Sequence, residues 1–209
     1  VKKKKAAVIT GDIVGSTQLN AAERRKLQRR LQTFTSAAAK QYPDFSWEQY
    51  RGDSLQISLT ASRAMALRIA LRLQSYLQAG GFSIRQAIGL GDMSVKGKQV
   101  GSSDGTAFRL SGPLADELKK REELIAITAT QPEFAAEWQV HGTTLHFLLQ
   151  RLSMAQADAL YLQLAGLTQE AIARKLHISQ PSVYQRLHAA GWNVFHSVLE
   201  RFEQTVPHL

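Results

Sequence analysis

The 209-residue chain contains no cysteine, which removes disulfides and thiolate metal sites and with them any sign of an oxidising compartment. It has no run of about eighteen or more apolar residues, so no membrane-spanning helix is expected. The basic opening Val1-Lys2-Lys3-Lys4-Lys5 leads into only a few strand-like residues, too few for a signal peptide. A cytoplasmic setting without a membrane partner is therefore expected. Beyond the lysine tract there is no internal repeat or low-complexity segment. His141, His146, His177, His188, His196 and His208 all fall in the second half. Their spacing forms no metal-ligand pattern, so they read as surface or core histidines.

What is present divides by charge. Residues 1–130 hold 21 of the 26 Lys and Arg and 11 of the 17 Asp and Glu, a net +10, whereas residues 131–209 hold the other 5 and 6, a net −1. A total of +9 points to an anionic partner, but the basic half is the N-terminal one. Lys2–Lys5 reads as a solvated arm, and Arg24, Arg25, Lys26, Arg29 and Arg30 as a solvated helix surface or a phosphate-facing patch.

The length suits two small domains. Ala6–Thr10 reads as a buried strand ended by Gly11-Asp12. Gly15-Ser16-Thr17 then opens a helical stretch from about Leu19 to Lys40, with Leu27, Leu31 and Phe34 on one face. Ser46 to Arg51 and Leu55 to Thr60 flank the turn Gly52-Asp53 as a hairpin. Ser62 can cap a second helix along Met65, Ile69, Leu73 and Tyr76, which Gly80-Gly81 stops. A strand from Ile84 to Leu90 completes the order β-α-β-β-α-β, the ferredoxin-like arrangement. A second hairpin is expected around Lys96-Gly97-Lys98, a helix over Thr106–Lys120 interrupted at Gly112-Pro113, and a strand over Leu124–Thr128. From Pro132 on the pattern is helical: Pro132–Gln139, Leu145–Arg151, a segment from Ser153, Thr168–Leu176, Pro181–Ala190 and Asn193–Glu203. The fold class is thus α+β: a ferredoxin-like domain over 1–130, a helical connector over 131–152, and an all-α helix-turn-helix domain over 153–209.

Ser153-Met154-Ala155-Gln156 is a capping box. After Gly166, the apolar positions Ile172, Leu176, Ile178, Val183 and Leu187 can form a small core between two helices, with small Ala173 where their backbones approach. Ser179 can cap the second helix, and Pro181 is tolerated in its first turn. The stretch Thr168-Gln169-Glu170-Ala171-Ile172-Ala173 to Ile178-Ser179-Gln180-Pro181-Ser182-Val183 resembles the helix-turn-helix of sigma-factor region four and of related bacterial response regulators. The resemblance implies double-stranded DNA as partner. In that geometry Gln180, Ser182, Tyr184 and Gln185 face bases, and Arg174, Lys175 and Arg186 touch phosphates, with Thr168 beside them. A helical hairpin used only for packing or dimerisation is the alternative, which the net −1 favours because phosphate neutralisation supplies most non-specific affinity.

The spacing also brings Asp12 and Asp53 to one sheet edge, since the first and third strands should be antiparallel neighbours. Two carboxylates and a backbone carbonyl can hold Mg²⁺ or Mn²⁺, and Gly15-Ser16-Thr17 can offer backbone N–H groups to phosphate. Equally, both aspartates are turn formers after glycine. Ile9–Thr17, Gly52-Asp53 and Gly105–Arg109 resemble the signature segments of class III adenylate and guanylate cyclases. Gly11–Ser16, Gly52–Gln56, Ile88–Asp92 and Asp104–Phe108 resemble the SatD family, which joins a cyclase-like front to a helix-turn-helix end. The resemblance implies a cyclase-palm-like first domain, a homodimer, Asp12 and Asp53 as metal ligands, and a carbonyl from Ile13. The expected nucleotide-binding set is Ile13, Gly15, Ser16, Thr17, Gln49, Arg51 and Arg109. Gln49 falls at the purine-selecting position, Arg109 where the cyclases keep an asparagine that stabilises the transition state, and Pro113 where they keep an arginine. Those losses imply a catalytically degenerate domain, so the expected function is a nucleotide-responsive transcriptional regulator. An active divergent cyclase or nucleotide hydrolase is the alternative.

Overall fold

Alternation along the first strand sets up the two faces of a sheet. In β1 (Lys4–Ile13) Ala7, Ile9 and Ile13 enter the main apolar core, while Ala6, Val8, Thr10 and Asp12 take the other face, as a period of two requires. The computed structural model describes residues 3–50, 53–94 and 104–209. β1 lies antiparallel to β3 (Ser54–Leu59) and β4 (Ile84–Met93), β3 antiparallel to β2 (Ser46–Tyr50), and β4 parallel to β5 (Ile125–Ala129). The order is β2-β3-β1-β4-β5. With α1 (Ala21–Gln41) and α2 (Ala66–Ala79), the first four strands make the ferredoxin-like order the sequence predicts.

α1 buries Leu27, Leu31, Phe34 and Ala38 at helical spacing. α2 is buried on almost every side, from Ala66 and Leu67 through Ile69, Leu71 and Leu73 to Leu77, the mark of a helix enclosed between layers. One layer is the sheet. The other is formed by α5 (Met154–Leu164) and α8 (Trp192–Thr205), while α4 (Pro132–Leu149) lies against β5; Phe134, Trp138, Leu145, Leu160, Leu164, Phe195 and Phe202 of these three helices join the same core as β1 and α2. Polar latches reinforce the contact: Arg68 Nε donates to Glu203 at 2.7 Å, and the Gln78 amide donates to the carbonyls of Leu149 and Leu152 at 3.0 and 3.1 Å.

α3 (Thr106–Arg121) crosses the opposite face. It lies so close to β4 that a Cβ added to Gly89 would meet the Ala107 carbonyl at 2.4 Å and the Ser111 nitrogen at 2.8 Å. The buried Ser111 hydroxyl hydrogen-bonds to Thr10 Oγ1 at 2.8 Å.

Several local expectations are corrected. Pro113 does not interrupt α3, because it lies on the exposed side, where the Arg109 carbonyl it leaves unpaired is open to water. α4 is one helix rather than the two expected over Pro132–Gln139 and Leu145–Arg151, and Gly142, between them, lets it approach the Ile125 carbonyl. Gly15-Ser16-Thr17 does not open α1: Gly15 is left-handed (φ 67°) and precedes a separate 3-10 turn, while Asn20 and Glu23 form the capping box that starts the helix. Ser62 makes no side-chain cap. Its hydroxyl donates to Asp44 at 2.6 Å, and the same carboxylate accepts from the backbone nitrogens of Thr60 and Ser62. The hairpin expected around Lys96-Gly97-Lys98 lies outside the described residues.

Candidate functional site

The helix-turn-helix is built by its caps and turns. Gly166, left-handed at φ 85°, ends the approach from α5, and the Thr168 hydroxyl accepts from the Ala171 nitrogen at 3.3 Å to start α6 (Gln169–Leu176). His177 turns the chain in the left-handed region at φ 54°, and Ser179 caps α7 (Gln180–Ala190) by accepting from the Ser182 nitrogen at 3.3 Å. Pro181 sits in the first turn, where no N–H is required. Ile172, Ala173, Val183 and Leu187 pack with Ala159 and Leu162 of α5 in a small core of their own, with Leu176 and Ile178 against its rim.

With that side buried, α7 presents Gln180, Tyr184 and Gln185 to solvent, and Arg174 and Lys175 of α6 are exposed beside them. Gln180 is held in place: its amide donates to Gln169 Oε1 at 2.6 Å. Tyr184 stacks on His188 with ring centroids 5.8 Å apart. Ser182 and Arg186 are half-buried, and the Ser182 hydroxyl is shared with Ser179 at 2.8 Å.

At the sheet edge, Asp12 and Asp53 are joined through the backbone, the Ile13 nitrogen donating to the Asp53 carbonyl at 3.0 Å. Their carboxylates have different company. Asp53 accepts from the Ser16 hydroxyl at 2.8 Å and lines an open groove of about 300 Å³ with Ser16, Thr17, Leu19, Arg24, Leu27 and Gln28. Asp12 sits on the α3 face, 3.4 Å from the Ser54 hydroxyl and 3.9 Å from both Arg85 and Lys119. Gln49 stands opposite Leu55, a core residue, whereas Asp12 stands opposite Ser54, so the two lie on opposite faces. Gln49 exchanges amide hydrogen bonds with Gln28 of α1 at 2.9 and 3.1 Å.

Arg109 is not brought to this edge: it pairs with Asp104 at 2.7 Å, near Asp92. β4 spans the sheet, with Arg85 opposite Asp12 and Asp92 opposite Lys5, which puts Arg109 at the far end. Arg51 lies outside the described residues. Among the described residues no group of three or more His, Asp or Glu is arranged to hold a metal. Arg85, Lys119 and Gln28 escape a sequence reading because only the tertiary fold brings them to these carboxylates. Tyr50, on the same open face as Asp12, has its hydroxyl pushed up to about 12 by burial and by Glu48, to which it donates at 3.1 Å.

The basic cluster on α1 is partly structural. Lys26 Nζ donates to the Gly80 carbonyl at 2.9 Å and Arg30 to that of Tyr76, both at the C-terminal end of α2, where cations are favoured.

The family model described as Sigma-70, region 4 matches residues 143–190, which include the whole of α6 and α7. No curated protein matches the sequence significantly. Among solved structures the chain is similar to a bacterial light-regulated adenylyl cyclase (15% identity over 61% of this chain and 77% of that one, TM-score 0.48). It is similar to the adenylyl cyclase CyaB from P. aeruginosa (21%, 61% and 78%, TM-score 0.43). The active GGEEF domain of a diguanylate cyclase from Vibrio cholerae also matches (12%, 61% and 84%, TM-score 0.44). Superpositions this loose transfer neither a reaction nor a ligand. The chain therefore joins a mixed α+β sheet to helices that carry a sigma-70 region 4-like helix-turn-helix.

Proposed function

We propose that this protein is a DNA-binding transcriptional regulator, with α7 as the helix that enters the major groove. The observation that carries this is the exposed row Gln180, Tyr184 and Gln185 on a capped helix whose other side is buried against α5 and α6, within the segment that matches region 4. Glutamine suits adenine in the major groove, and the Gln169 clasp fixes where the Gln180 amide points. Arg174, Lys175 and Arg186 supply phosphate contacts at the flanks, Ser182 a hydroxyl, and Thr168 a position at the mouth of α6. So few cations imply a shallow salt dependence for one module, and a pair of modules strengthens binding.

In vitro selection from randomised duplex DNA, followed by anisotropy titration, tests this. A defined motif is expected. Gln185→Ala should weaken it by about 1–3 kcal/mol while leaving random duplex unaffected, and Arg186→Ala should weaken both and reduce the salt slope. A selection that returns no motif sinks the proposal.

The groove beside Asp53 supports a second function for the sheet domain, the binding of a nucleotide that biases DNA affinity. Gly15, Ser16 and Thr17 face its phosphates, Asp53 lies between, and the Gln28–Gln49 amide pair stands near the base. Arg85 and Lys119 already neutralise Asp12, so Mg²⁺ or Mn²⁺ fits here only as company for the phosphates, on Asp53 and the Ile13 carbonyl, with Asp12 joining if its cations yield. A few carboxylates plus phosphate oxygens are the usual magnesium set. Arg109, which falls where the cyclases keep their transition-state asparagine, stands at the far end of the sheet, and this supports reading the domain as a binder rather than a cyclase. The pairing of this domain with a helix-turn-helix is the SatD-like part of the proposal. Calorimetry with ATP and GTP in Mg²⁺, on wild type and Asp53→Asn, decides it: no heat with either nucleotide removes the ligand.

A further inference from the structure

α4 buries Phe134, Trp138, Gly142, Leu145 and Leu149. Its other side carries Glu133, Ala136, Val140, Thr143 and Phe147, continued by Arg151 just past its end, all exposed. At 100° per residue these six positions fall within an arc of roughly 80°. Val140 is 66% exposed and Phe147 51%. Between Glu133 and Arg151 the stripe bears no charge, on a chain whose net charge is +9. Two like-charged copies approach at least cost where charge is absent.

We propose that this stripe is the surface by which two copies of the chain pair, α4 against α4, about a two-fold axis. The occupant is a second copy because the stripe is complementary to itself. Laid antiparallel about a point between Val140 and Thr143, Phe147 meets the partner's Ala136 and Val140 meets the partner's Thr143, large against small at each step. Arg151, whose guanidinium lies 4.8 Å from the Phe147 ring, meets the partner's Glu133, opposite charges at both ends. A two-fold contact requires this kind of reciprocity.

The hydroxyls along the stripe do not oppose burial. Thr143 Oγ1 donates to the Gln139 carbonyl at 3.2 Å and Thr144 Oγ1 to that of Val140 at 3.1 Å, so both keep a partner when water leaves. The surface rests on residues of α4 and Arg151 alone and is independent of whether the chain reads DNA.

Sedimentation equilibrium of the full chain without DNA tests it. Wild type should dimerise, and Val140→Asp with Phe147→Asp should raise the dissociation constant at least about tenfold with an unchanged thermal melt, since both side chains are solvent-exposed. Glu133→Arg should weaken the dimer and adding Arg151→Glu should restore it, a rescue that misfolding cannot mimic. Because the chain has no cysteine, Val140→Cys with Thr143→Cys should give an interchain disulfide under mild oxidation. A wild type that stays monomeric, or a dimer indifferent to the aspartates, overturns the proposal. The absence of DNA keeps its failure separate from that of the DNA-binding proposal.

Discussion

Asp44 sits between α1 and β2, and its carboxylate ties that connection to the one between β3 and α2 through Thr60 and Ser62. Partial burial pushes its carboxyl up, but the hydrogen bonds from Ser62 and Thr60 outweigh that and hold it below the ordinary value of 3.8. A depressed carboxyl stabilises the fold fully above its unfolded value and loses that contribution as pH falls through the folded one. Asp44→Asn should therefore cost about 1–3 kcal/mol at neutral pH, seen as a lower melting temperature. The gap between variant and wild type should narrow as pH falls below about 4. A gap independent of pH refutes the role. Residue chemistry of this kind was only half legible in the sequence. Ser153 and Ser179 could be named as caps because their partners are three residues away. Ser62 reads as a cap in the sequence but binds Asp44, which comes from another connection.

At the scale of elements, strands and helices followed their periodicity, and the departures came where tertiary contact overrides local preference. Gly112-Pro113 looks like a break in isolation, yet Pro113 sits on a solvated helix flank, and the gap expected between two helices is closed at Gly142, the small residue on which α4 rests against β5. Gly89 shows the same logic in a strand. Its missing Cβ is the space that the first turns of α3 occupy, so Gly89→Ala must lift α3 from β4 or distort the strand. A loss of about 1–3 kcal/mol is expected, measurable by denaturant titration, with the Thr10–Ser111 hydrogen bond disturbed as well. An unchanged midpoint shows that α3 is free to shift. The caps and apolar spacing of the helix-turn-helix made it legible in advance. The sheet-edge site was legible only in part: Asp12 and Asp53 meet at one edge as their spacing implies, but Arg85, Lys119 and Gln28 reach it from other elements.

For the whole molecule, the decisive feature is that one apolar core runs from β1 through α2 to Phe202 and Val206. A fragment of residues 1–152 would expose the core surface, on α2 and around Trp138, that Leu160, Leu164, Phe195 and Phe202 complete. With each large side chain worth about 1.5–3 kcal/mol, that fragment should lack a cooperative near-ultraviolet melt, whereas the full chain unfolds in one step. A fragment that melts cooperatively near the full-length temperature contradicts the shared core. Composition reveals a basic half and a neutral half, but not that they fold on a common helix, because the packing partners of α2 lie at the far end of the chain.

α5 belongs to both structures: Leu160 and Leu164 enter the main core, while Ala159 and Leu162 hold up α6 and α7. The reading head is thus bolted to the sheet like a bracket, at an angle fixed when the chain folds. If a ligand binds the sheet as proposed, the shared α5 gives it no joint to swing, and its effect on the duplex would have to come through how many brackets stand together: assembly rather than motion.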